Sequence, residues 1–224
     1  HTNTTGAYNV AVGTNALDAN TTGSHSFAAG QAALYKNTTG GYNTAIGWDA
    51  LCANTTGDNN TALGACALRG SLSGDHNFAA GKSALYSNWG GCYNTAIGYN
   101  ALKENTTGLH NAAIGNDALS YNTTGGYNAA IGQNALYANT TGNYNAAIGN
   151  GALAGNLSGD NNFAAGNATL YSNWGGCYNT AIGACSLLSN TTVNENTAVG
   201  FAALCLNTTG TRNAAVGSYA LAAN

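Results

Sequence analysis

Glycine returns every 17 residues, at positions 13, 30, 47, 64, 81, 98, 115, 132, 149, 166, 183, 200 and 217, with no insertion or deletion. A unit this short cannot bury a hydrophobic face alone and must stack on its neighbours, so the register dictates a solenoid. With the fixed glycine as position 0, the unit reads G-x-x-A-L-x-x-N-T-T-G-x-x-N-T-A-I. Leucine fills position 4 (Leu17 to Leu221) and alanine fills position 15 (Ala11 to Ala215) in all thirteen repeats. These columns are read as core or tight contacts.

The N-T-A-I-G run alternates and holds β-branched residues, the signature of a short strand, and the N-T-T-G after the leucine is a turn signal. Two glycines with several Thr and Asn in 17 residues leave no room for a helix pair. The predicted fold class is therefore all-β, a single parallel β-solenoid of thirteen coils over residues 1–224. Coils about 4.8 Å apart predict a rod on the order of 60 Å long, with every column a ladder.

Asparagine holds position 13 except at Ser26, and position 7 except at Ser71, which predicts two amide ladders. Glycine holds position 10 except at Val193; positive φ is expected there, and a locally distorted turn at Val193. Wherever position 14 is phenylalanine (Phe27, Phe78, Phe163), position 16 is alanine (Ala29, Ala80, Ala165). The two positions share parity, so this trade of volume predicts that both face one packed space and that the Ala and Asn columns at 15 and 13 face the other way. Apolar residues on both faces of the strand further predict a covering layer or second chain.

Units such as Asn43-Thr-Ala-Ile-Gly47 with Ala50-Leu51 and Asn54-Thr-Thr-Gly57 resemble the N-T-A-I-G repeats of phage tail fibres and large bacterial surface proteins. They are similar, more distantly, to the β-roll heads of trimeric autotransporter adhesins. The resemblance implies a left-handed β-roll, extracellular placement and a structural or adhesive role; its motif is a scaffold motif that fixes no ligand.

Only 6% of residues are charged and the net charge is −3, so neither nucleic acid nor an anionic membrane is expected as a partner. No apolar run reaches the length of a membrane span. A surface of Thr, Asn, Gly and Tyr with few lysines, and six cysteines, point to an extracellular address. At the ends, His1-Thr2-Asn3 and Ala222-Ala223-Asn224 belong to partial coils that complement each other, and neither carries a distinct cap. Head-to-tail assembly into a filament is the leading expectation, with a glycan-binding head or shaft of a trimeric fibre second and an ice-binding solenoid third. The partners are then copies of the chain itself, with surface glycans next.

Cys52 and Cys66, and Cys185 and Cys205, stand at positions 5 and 2 of adjacent coils and are candidate disulfides, with inert thiols the alternative. Cys92 and Cys177 share position 11 five coils apart, too far to pair within one rod, and are candidate staples between subunits. Nine Asn-Thr-Thr sequons, at Asn3, Asn20, Asn37, Asn54, Asn105, Asn122, Asn139, Asn190 and Asn207, are candidate glycosylation sites. Asn88 and Asn173 keep the position-7 asparagine without the threonine, which favours a structural ladder over glycans. Tyr8, Tyr42, Tyr93, Tyr127, Tyr144 and Tyr178 at position 12, with Trp89 and Trp174, form exposed stripes suited to sugars, to a neighbouring filament or to mutual stacking. His25, His76 and His110 lie too far apart along position 12 for one metal ion, and no catalytic constellation stands out. The chain reads as a non-enzyme without a cofactor.

Overall fold

The structure, a computed structural model, describes residues 2–223. They fall into two compact units, His1–His110 and Asn111–Asn224. The first holds β1 (Val10–Val12), β2 (Phe27–Ala29), β3 (Thr44–Ile46), β4 (Thr61–Leu63), β5 (Phe78–Ala80) and β6 (Thr95–Ile97). The second holds β7 (Ala112–Ile114), β8 (Ala129–Ile131), β9 (Ala146–Ile148), β10 (Phe163–Ala165), β11 (Thr180–Ile182), β12 (Thr197–Val199) and β13 (Ala214–Val216). Within each unit every strand pairs in parallel with the next in sequence at a 17-residue register, as in Thr44↔Thr61 and Ala129↔Ala146. The chain is the all-β parallel solenoid that its period predicts, and no helix occurs among the described residues.

Each strand is positions 14 to 16 of a coil; turns, bends and irregular backbone make up the rest. The backbone nonetheless pairs from coil to coil far beyond the strands. N–H groups at positions 4, 6, 8 and 14 donate forward, as Leu34 to Ala50 O (3.0 Å), Lys36 to Cys52 O (3.0 Å), Thr38 to Thr55 O (2.9 Å) and Thr44 to Asn60 O (2.8 Å). Those at positions 0, 2 and 12 donate backward, as Gly47 to Ala29 O (2.8 Å), Asp49 to Gln31 O (2.9 Å) and Tyr42 to Ser24 O (2.9 Å). A left-handed backbone recurs at positions 0, 2, 4 and 12, with φ of 135° at Gly47, 55° at Asp49, 51° at Leu51 and 56° at Tyr42. Tertiary pairing thus holds even a leucine in a region that costs an L-residue roughly 1–2 kcal/mol.

The core corrects the predicted sidedness of the strand. From Ala28 to Ala198 the alanines at position 15 have no exposed surface, as do Leu34, Leu51 and Leu68 at position 4, and the Asn columns at 7 and 13 are buried with them over the same coils. Positions 14 and 16 point outward instead: Ile46 is 43% exposed, Ile131 44% and Phe163 37%. Shared parity correctly groups 14 with 16, but both strand faces are apolar and parity alone does not say which is inside. The Phe/Ala exchange is therefore a trade of volume on the outer surface.

The glycine columns are also reassigned. Positive φ falls at position 0, not at position 10. Position 10 needs glycine for space: a Cβ on Gly40 would lie 2.4 Å from Gly57 O and 2.7 Å from Asn37 Oδ1. Val193, at that position, keeps a negative φ, but the amide ladder beside it breaks, with Asn190 Oδ1 and Asn196 Nδ2 buried and unpartnered.

Candidate functional site

The asparagine ladders account for two of the chain's most regular columns. At position 7 the amide donates twice: Asn37 Nδ2 reaches Asn20 Oδ1 (2.9 Å) in the preceding coil and Gly40 O (2.8 Å) across its own turn. At position 13 Asn43 Nδ2 donates to Gly57 O (2.7 Å), and its Oδ1 accepts from the Asn60 backbone N–H (2.9 Å). These amides pair the backbone where strands do not. Eight sequon asparagines, Asn20, Asn37, Asn54, Asn105, Asn122, Asn139, Asn190 and Asn207, are at most 2% exposed. A glycan cannot be accommodated on them in the folded coil; only Asn3, in the first partial coil, is exposed.

At position 8 the threonine hydroxyl also serves the backbone, as Thr38 Oγ1 donates to Thr55 O (2.9 Å). That leaves position 9 as a single exposed threonine column (Thr22, Thr39, Thr56), so the two adjacent threonines do not present a paired array to water.

All six cysteines are unbonded, so the bridges 52–66 and 185–205 are absent from the structure. The turn does bring columns 5 and 2 together. Burial pushes the Cys52 thiol up first, then Asp49, with Cys66 contributing; burial and then Cys185 push Cys205 up. Cys66 is likewise raised by burial and Asp49. Raised thiols hold less thiolate and are weaker nucleophiles. Cys92 and Cys177 are half-buried and take the place of an Asp or Asn side chain in column 11. Asp58 Oδ1 accepts the Gly41 N–H and Asp75 Oδ1 the Asp58 N–H, both at 2.7 Å, whereas Cys92 Sγ accepts the Asp75 N–H and Cys177 Sγ the Asp160 N–H, both at 3.3 Å. Their sulfurs therefore stand in for the carboxylate or amide oxygen of that column and stay partly exposed.

The position-12 rings are exposed, from 51% at Tyr127 to 81% at Tyr8, and they stack on one another. Tyr8, His25 and Tyr42 stack at 4.8 Å steps, His76, Tyr93 and His110 at 4.9 Å, and Tyr127 on Tyr144 at 5.0 Å, all within 17° of parallel. Ring faces inside a stack are covered by their neighbours, so a sugar has access to edges and stack ends only. Trp89 and Trp174, 57% and 58% exposed, and Tyr178, 63% exposed, stand outside these stacks.

Thr2 docks on the following coil through its N–H and Oγ1 to Asp18 O (3.1 and 3.0 Å), and Ala222 O accepts from Leu206 N–H (3.0 Å). Asn3 and Ala223 are exposed, while His1 and Asn224 lie outside the described residues. Beside the first coil a cleft of about 200 Å³ is lined by Asn3, Asn9, Ala11, Ala16, Leu17 and Asn20, which are the interior columns themselves. Among the described residues no group of three His, Cys, Asp or Glu converges as a metal site. Among the described residues no helix is long and apolar enough to cross a membrane.

The fold defines the class, a parallel β-solenoid with amide-paired turns. No protein-family model, curated protein or solved structure matches the chain.

Proposed function

We propose that this protein is a non-enzymatic structural subunit of an extracellular fibre that assembles with copies of itself. The observation that carries this reading is the outward strand face. Positions 14 and 16 contain only Val, Phe, Thr, Ala, Ile and Leu across all thirteen strands, without one charge. In each unit, six or seven strands of three residues make an outer strip of about 300 Å², the size at which exposed apolar patches are commonly functional. A parallel sheet is ordinarily covered on both faces. Keeping Phe with Ala and Ile with Thr or Ala holds the thickness of this strip even, which matters to a surface packed against another regular surface. The occupant with the same 17-residue rhythm and the same lack of charge is a second copy of this chain.

Axial growth is the second element of the proposal. The interior columns lining the cleft at the first coil match those of any other coil, so a further coil continues the Asn, Ala and Leu ladders there, whether it comes from the same chain or from a second copy. Electron microscopy of the purified protein tests the reading: laterally paired or bundled fibres are expected, and dispersed single particles at all concentrations would refute it.

A second reading, glycan binding, rests on Trp89 and Trp174, which occupy the same place in the coil with exposed, unstacked rings. Retention on immobilised glycans, lost on Trp89→Ala with Trp174→Ala, would favour it.

A further inference from the structure

One difference between the two units concerns a charged side chain. In the first, Arg69 at position 5 lies half-exposed along the coil surface, its Nε donating to Asp49 Oδ2 (3.0 Å) and its Nη1 to the Tyr86 hydroxyl (2.6 Å). Its guanidinium carbon is 5.6 Å from the centre of the Tyr86 ring. Five coils later Tyr86 recurs as Tyr171 and Gly70 as Gly155, but Arg69 is replaced by Ala154, Cys66 by Gly151 and Asp49 by Asn134. The guanidinium is gone, the tyrosine that flanks it is kept, and its carboxylate partner has become an amide.

What remains is a cleft of about 440 Å³ lined by Asp117, Asn134, Tyr137, Gly151, Ala154 and Tyr171, among others. Tyr137 and Tyr171 stand two coils apart, about 10 Å by the coil spacing, and the floor between them is made of small residues. Tyr137 is held by edge-on contact with Tyr121 at 5.0 Å. Tyr171 lies against Gly151, whose added Cβ would sit at an ordinary contact distance of 3.4 Å from its ring, so the ring forms one wall of the cleft. The lining holds the Asp117 carboxylate and no lysine or arginine.

We propose that this cleft binds a guanidinium group, that of an arginine side chain on a partner protein, in the place that Arg69 fills from within the first unit. A guanidinium only donates hydrogen bonds; the Tyr171 hydroxyl and the Asn134 amide oxygen are its acceptors, and the Asp117 carboxylate, one coil beyond Asn134, supplies negative charge. The Tyr171 ring supplies the cation–π face that Tyr86 offers Arg69. The inference stands apart from the fibre reading, since it needs no second copy of this chain.

The test titrates a blocked Gly-Arg-Gly peptide into the full chain by calorimetry. One site per chain is expected, with a dissociation constant on the order of 1 mM and the lysine peptide at least about fivefold weaker. Ala154→Arg, which restores the internal guanidinium, abolishes binding, and Ala154→Leu, which fills the cleft without charge, does the same. Arg69→Ala opens the slot in the first unit and raises the stoichiometry from one to two. Far-UV circular dichroism matching the parent confirms that each variant is folded. No saturable binding, binding unchanged by both Ala154 variants, or binding of an oligosaccharide in place of the arginine peptide would overturn the proposal.

Discussion

Ser71 interrupts the position-7 ladder, and replacing it with asparagine should stabilise the protein. In the neighbouring coils each amide donates to the oxygen of the one before it, so Asn54 Oδ1 awaits a donor that Ser71 does not reach. Both Asn54 Oδ1 and Ser71 Oγ are buried without a partner. Such an orphan costs about 1–3 kcal/mol, and a net hydrogen bond contributes about 0.5–1.5 kcal/mol. Ser71→Asn removes both orphans and places an amide where Asn54 Oδ1, Gly74 O and Asn88 Nδ2 can engage it, as the equivalent atoms engage Asn37 and Asn139. Ordering the longer side chain costs about 1 kcal/mol. The net gain is about 2 kcal/mol. Because long repeat arrays need not unfold in one step, the assay is amide hydrogen exchange across coils 47–80 alongside urea unfolding. Protection should rise by roughly thirtyfold at constant temperature, since each 1.4 kcal/mol is tenfold. The reciprocal change Asn139→Ser should cost a similar amount. If Asn139→Ser weakens the fold while Ser71→Asn leaves it unchanged, the orphan-repair argument is refuted.

Three further outcomes follow from the coil geometry. Gly40→Ala should destabilise by about 3 kcal/mol or more, because its Cβ meets the Gly57 carbonyl at 2.4 Å, whereas Gly175→Ala, whose nearest neighbour is Ser158 Oγ at 3.6 Å, should stay within about 0.5 kcal/mol; paired urea melts decide this. Ala168 holds φ at 49°, so Ala168→Gly should raise stability by up to about 1 kcal/mol, read as a higher unfolding midpoint. Alkylation of Cys52, Cys66 and Cys205 by iodoacetamide at pH 8 should be slower than that of a free cysteine peptide. Their thiol pKa values are raised, so less thiolate is present at that pH and the rate should climb only as the pH rises further; peptide mapping by mass spectrometry reads it.

Much of this molecule is legible as columns. The period, the strand at N-T-A-I, the leucine and alanine core and the structural asparagines all follow from what recurs at fixed offsets, because a parallel stack turns recurrence into contact. Sidedness is harder. Thr-Ala-Ile presents no polar alternation, so the inner face is decided by how little room a narrow coil leaves beside Leu51 and Asn54, and only Ala45 is small enough for it. The left-handed backbone at Leu51 has no sequence signal at all, since forward and backward hydrogen bonding to both neighbouring coils imposes it. At position 2 a signal exists: Asn15, Asp49, Asn100, Asp117, Asn134 and Gly151 are the residue types that tolerate positive φ. Gly40 is read correctly as obligatory but for a different reason, close approach rather than dihedral freedom. The vacated arginine slot becomes visible only when the two units are compared in three dimensions.

Sedimentation equilibrium decides whether a second copy covers the outward strand face. A molar mass at least twice the 22.3 kDa of one chain is expected, collapsing toward 22.3 kDa in Ile131→Asp/Ile148→Asp with the circular dichroism unchanged. A parent protein that sediments at 22.3 kDa across the concentration range, or a doubly substituted one that associates as strongly as the parent, would contradict it.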